Sequence, residues 1–87
     1  MSENLIKKIL VVGAGQMGAG IAQVAAQAGL QVLVVDAFAA SIEKARTGME
    51  KSLAKLREKG LLVEEPADVM ARLAWTGDFK SSVAFAP

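Results

Sequence analysis

Gly13, Gly15 and Gly18 stand in a G-x-G-x-x-G spacing, and Asp36 follows about 20 residues on; this is the pattern in the chain whose residue types and spacing point to chemistry. That chemistry is recognition. Gly13 permits a sharp backbone turn through dihedrals that a side chain resists. Gly15 removes a Cβ where the main chain must approach a pyrophosphate, and Gly18 lets the following helix pack tightly on the preceding strand. With Ala14, Gln16 and Met17 they form one segment, Gly13-Ala14-Gly15-Gln16-Met17-Gly18. A helix beginning near Gln16 offers unpaired N–H groups and a positive dipole end, so phosphates are held without a cationic side chain. The Asp36 carboxylate can accept hydrogen bonds from both hydroxyls of an adenosine ribose. The same charge repels a 2′-phosphate, and Ala37 and Phe38 supply no Arg to welcome one. NAD is therefore expected over NADP. Domains that bind FAD share the fingerprint but often close the second strand on Glu.

Regular elements must hold these residues in place. Apolar runs at residues 9–12 and 32–35 read as strands on either side of an Ala-rich helix. In that helix Gly20 is expected to pack against the sheet, and Gly29 to cap the C-terminus. Ile42, Ala45, Met49, Leu53 and Leu56 recur at steps of three and four, with charges on the other faces. This spacing predicts an amphipathic helix over 39–59, closed by Gly60. Glu64-Glu65-Pro66 reads as a helix start, and this short helix runs to about Arg72. Residues 73–76 form a third strand with Trp75 in the core, and Gly77-Asp78 is a turn. The fold class is α/β: a Rossmann-type doubly wound parallel sheet, incomplete, comprising the first half with three strands and their helices. In the strand order 3-2-1 the first strand lies at an edge, which invites self-association or poor order. A tail strand at Val83-Ala84-Phe85 is not expected, because Pro87 follows at once.

Composition bounds the alternatives. Eighty-seven residues make one small domain, just above the size at which a single core becomes marginal. A net charge of +1, with both signs mixed, suggests neither a nucleic-acid nor a membrane surface. The chain has no cysteine, hence no disulfide framework, and no metal site is expected. MSENLIKK meets the first strand too soon for a signal peptide, so a cytoplasmic location is expected.

GAGQMGAGIAQVAAQAG, then VVD, then MEKSLAKLREKG resemble the N-terminal part of the 3-hydroxyacyl-CoA dehydrogenases, most in the style of the bacterial 3-hydroxybutyryl-CoA enzymes. The resemblance runs from about residue 7 to 78, and two helices between the second and third strands are also this family's habit. It implies NAD-linked oxidation of a 3-hydroxyacyl-CoA to the 3-ketoacyl-CoA, or the reverse, in fatty-acid or butyrate metabolism. It places residues 13–18 on the pyrophosphate and Asp36 on the adenosine ribose. Ser52 and Lys59 match the positions that touch the CoA moiety, about two turns apart on one helix face. Apart from the resemblance, Ser52 is a small surface residue and Lys59 a partner of the helix C-terminal dipole.

The family's catalysis resembles a His held by a Glu, and this sequence contains no His. Residues 1–87 are thus expected to form a single, truncated dinucleotide-binding domain. The resemblance implies a further substrate and dimerisation domain that makes the complete protein a homodimer, and these residues are expected not to include it. No catalytic residue is expected here, and the isolated chain is expected to be inactive. Two alternatives stand beside this. One is the same kind of domain from the 3-hydroxyacid or 6-phosphogluconate dehydrogenases, which share GxGxMG but usually lack the charged helix pair. The other is a stand-alone nucleotide-binding module that never catalyses.

Overall fold

The computed structural model describes residues 8–78 and 80. Its elements follow the order β1 (Lys8–Val12), α1 (Gln16–Gln27), β2 (Gln31–Val35), α2 (Ala39–Glu58), α3 (Pro66–Met70) and β3 (Leu73–Thr76). The three strands form one parallel sheet in the order β1-β2-β3, with Ile9 opposite Val32, and Val34 opposite Trp75. Parallel neighbours need crossovers, which α1 supplies between β1 and β2, and α2 with α3 between β2 and β3. The fold class expected from the sequence is the one observed. The segment around Val83-Ala84-Phe85 lies outside the described residues.

Strand periodicity sorts the side chains into faces. Val11, Val32, Val34 and Leu73 meet Ala22, Ala25 and Ala26 of α1, Met49 and Leu53 of α2, and Val69 of α3 in one core. Central β2 is also buried at Leu33 and Val35, on its other face. That two-sided burial explains its unbroken apolar run. Among the described residues β1 is the edge of the sheet, with no strand on its side away from β2.

Glycines close the helices as expected. Gly29 (φ 94°) follows α1, and Gly60 (φ 75°) follows α2. Arg72 ties the helices together: its Nη1 donates to the Ala26 carbonyl at the end of α1 (2.8 Å), while the guanidinium pairs with Glu64. This pairing holds the Glu64 carboxyl below its ordinary range.

Three expectations need correction. Gly20 does not pack on the sheet; it is exposed, and a Cβ there would meet no heavy atom within 4 Å. The sheet is met instead by Ala22, Ala25 and Ala26, and at 3.6 residues per turn Gly20 falls on another side of α1. The short helix ends at Met70 rather than Arg72, because residues 71–72 turn into β3. Trp75 is half-buried against the core rather than inside it.

Candidate dinucleotide-binding site

The turn after β1 is drawn tightly over the end of the sheet. Gly13 adopts φ 99°, and its N–H donates to the Val35 carbonyl at 2.7 Å, extending the β1–β2 ladder by one bond. A side chain resists that φ, so glycine is required for the backbone conformation alone. Gly18 is required for space. A Cβ at Gly18 would lie 2.0 Å from the Gly13 carbonyl oxygen and 3.4 Å from the Val11 side chain. The helix therefore passes directly over the turn.

Gly15 differs from both. It is the N-cap of α1 in ordinary extended geometry (φ −68°), and a Cβ there would meet nothing within 4 Å. Neither conformation nor packing within the chain calls for a glycine here, which fits a ligand approaching from outside. The first intrahelical bond runs from the Ala19 N–H to the Gly15 carbonyl (2.8 Å). It leaves the N–H groups of Gln16, Met17 and Gly18 ahead of it without helical partners. These donors and the positive dipole end suit a pyrophosphate.

Asp36 follows β2 and is brought against the same turn. Its Oδ2 accepts from the Ala14 N–H at 2.7 Å, and its Oδ1 accepts from the Phe38 N–H at 2.8 Å. The Ala14 amide first, and the Phe38 amide second, hold its carboxyl below the ordinary 3.8. It is thus a carboxylate at neutral pH. Each oxygen keeps acceptor capacity beyond the one bond it makes, enough for two ribose hydroxyls. The link from Ala14 to Asp36 is not visible in the spacing alone, yet it fixes the acid relative to the glycine turn.

The two remaining candidates, Ser52 and Lys59, lie elsewhere. Ser52 is half-buried on α2, where its Oγ accepts from Gln23 Nε2 of α1 at 3.0 Å. It lines a cleft of about 780 Å³ between α1 and α2, which Ala14, Gly15 and Gln16 also line. Lys59 is the exposed C-cap of α2 and does not line this cleft. Sequence reasoning missed the cleft and its Lys44. Glycines inside two helices, Gly20 and Gly48, were the signal that marked it. Among the described residues no cluster of His, Cys, Asp or Glu could hold a metal ion, and no helix is long and apolar enough to cross a membrane.

The chain is similar to known proteins. Residues 8–86 match the family described as 3-hydroxyacyl-CoA dehydrogenase, NAD binding domain. A probable 3-hydroxybutyryl-CoA dehydrogenase of Deinococcus radiodurans is 48% identical over 73 residues, covering 84% of this chain and 26% of that protein. A 3-hydroxybutyryl-CoA dehydrogenase of Mycobacterium tuberculosis is 40% identical over 76 residues, covering 86% of this chain and 27% of the relative. The crystal structure of (S)-3-hydroxybutyryl-CoA dehydrogenase from Ralstonia eutropha superposes with a TM-score of 0.84 at 36% identity, over 92% of this chain and 29% of that one. The chain thus spans less than a third of the length of each of these relatives. The matched family and the residues of the turn agree on the cofactor, NAD. The chain belongs to the 3-hydroxyacyl-CoA dehydrogenase family, as its NAD-binding domain.

Proposed function

We propose that residues 13–18 hold the pyrophosphate of NAD, that Asp36 holds its adenosine ribose, and that the domain serves NAD-linked interconversion of 3-hydroxyacyl-CoA and 3-ketoacyl-CoA. The observation that carries this is the pairing of an open Gly15 with a carboxylate tied to the same turn through Ala14. The chemistry NAD supplies when bound is acceptance or donation of a hydride. The chain's own part is to orient the cofactor: backbone N–H groups fix the diphosphate, and the carboxylate fixes the ribose and disfavours a 2′-phosphate.

Ser52 and Lys59 are proposed to touch the CoA moiety. Ser52 lies on α2 and Lys59 is its C-cap, while Asp36 precedes that helix. Lys59 would meet a phosphate as a point charge. Among the described residues no strand pairs with β1 on its side away from β2, which suits self-association; sedimentation would detect this as a concentration-dependent dimer, and a persistent monomer would exclude it.

Proton transfer at the substrate hydroxyl needs a general base, and the 87 residues include no His. A positioned base commonly contributes ~10²–10⁴-fold. The residues 1–87, read as one dinucleotide-binding domain, are therefore expected to bind NAD without turning over. With acetoacetyl-CoA and NADH, the rate of NADH loss should equal that of a protein-free control. A rate well above that control would contradict the proposal.

A further inference from the structure

Helix α2 begins on an unsuitable residue. Its N-cap is Phe38, which has no side-chain oxygen for the free N–H groups of the first turn, and no such cap bond is made. Ser, Thr, Asp or Asn at an N-cap stabilises a helix, so phenylalanine here works against folding. Nor does the ring offset this by packing, since Phe38 is 70% exposed. A lone apolar residue on a surface is ordinary. An aromatic ring in water, at a position that favours a short polar side chain, calls for another explanation.

The backbone of Phe38 is held on both sides. Its N–H donates to Asp36 Oδ1 at 2.8 Å, and its carbonyl accepts from the N–H groups of Ser41 (3.1 Å) and Ile42 (3.3 Å). The root of the ring is therefore fixed relative to the Asp36 carboxylate. The proposed site also gives a bound dinucleotide a direction. Its pyrophosphate lies at the turn after β1, and its ribose at the end of β2, where Asp36 stands. In a nucleotide the 5′-phosphate and the base leave opposite ends of the ribose ring. The base is thus carried on past β2, toward the start of α2 and the end of β3. The Asp36 N–H donates to the Thr76 carbonyl at 3.0 Å, so the end of β3 flanks the same point, and Gly77 follows it without a side chain.

We propose that Phe38 is the surface on which the adenine base of NAD stacks. The inference rests on the reading that Asp36 holds the adenosine ribose, and it adds a contact to the base itself. An aromatic face attracts a base without hydrogen bonds, and a residue whose backbone is already held loses little freedom on binding. The distinguishing signature is a substitution that improves the helix cap and harms the ligand.

The test is titration of the full chain and its Phe38→Ser and Phe38→Tyr variants with NAD, with ADP and with inorganic pyrophosphate, alongside thermal unfolding. Phe38→Ser should unfold at the same or a higher temperature, because serine is the better N-cap. Its affinity for NAD and for ADP should fall about tenfold, the scale of one base–aromatic stack, while pyrophosphate binds within about twofold of the unaltered chain. Phe38→Tyr keeps the ring and should hold NAD within about twofold. In proton NMR the adenine H2 and H8 signals of ADP should move upfield on binding the unaltered chain, and much less with Phe38→Ser. Absence of that shift with the unaltered chain would overturn the proposal, whatever the stability of the variants. Unchanged NAD and ADP affinity in Phe38→Ser, while Asp36→Ala weakens both, would overturn the stacking and leave the NAD site standing. Equal losses for pyrophosphate and ADP would show that Phe38 acts through the glycine turn and not on the base, and would also overturn it. Undiminished NAD affinity in both Phe38→Ser and Asp36→Ala would remove the ribose reading and the inference together.

Discussion

Gly18→Ala is expected to cost about 3 kcal/mol of stability and to lower the melting temperature by on the order of 10–20 °C. The added Cβ would sit 2.0 Å from the Gly13 carbonyl oxygen, a backbone atom at the hinge of the turn. Gly13 cannot easily give way, because its N–H is bonded to Val35 and its φ is already 99°. Either α1 lifts from the turn or the turn opens, and both displace the N–H groups offered to the pyrophosphate. NAD affinity should fall with stability. Gly15→Ala separates the two effects. Its Cβ meets nothing, so stability should change by less than about 1 kcal/mol while NAD affinity falls at least about tenfold. Thermal unfolding and NAD titration of both variants provide the check. An unchanged melting temperature for Gly18→Ala would show that the close passage of α1 over the turn is wrong.

Asp36→Ala is expected to weaken NAD at least about tenfold and to narrow the preference for NAD over NADP. Two effects combine in it. The ribose loses its charged acceptor, and the Ala14 N–H loses the bond that ties the glycine turn to the end of β2. Acid should reproduce the second effect reversibly. The folded carboxyl lies below 3.8 because the Ala14 and Phe38 amides favour its charged form. Its contribution to stability is therefore complete above 3.8 and is lost as pH falls through the lower, folded value. The amide resonances of Ala14 and Phe38 should titrate together with a midpoint below 3.8. Separate midpoints, or one at or above 3.8, would break the link. An Asp36→Ala variant with undiminished NAD affinity would remove Asp36 from the site.

What was legible in the sequence followed from strong local periods. The runs at 9–12, 32–35 and 73–76 became the three strands, and the steps of three and four through Ala45, Met49 and Leu53 became the buried face of α2. The glycine spacing located the turn because Gly13 and Gly18 answer to backbone geometry, which leaves little choice of residue. α1 was harder to read. It buries Ala22, Ala25 and Ala26 and exposes Met17, Ile21 and Val24, so its larger apolar residues point away from the core. Small residues bring the helix close to the sheet, and a hydrophobicity pattern then gives the wrong phase. Gly20 was misplaced for that reason. The bond from Ala14 to Asp36 and the cleft between α1 and α2 depend on how two crossovers lie beside each other, which no local spacing encodes.

The central claim is that one glycine turn and one carboxylate, joined through Ala14, form the NAD site. Titrating the isotopically labelled chain with NAD while following its amide NMR spectrum tests it most directly. The account predicts dispersed resonances whose shifts concentrate at residues 13–18 and at Asp36, with the amides of α3 and β3 little moved. Saturable shifts centred elsewhere, or a dispersed spectrum unchanged by millimolar NAD, would contradict it.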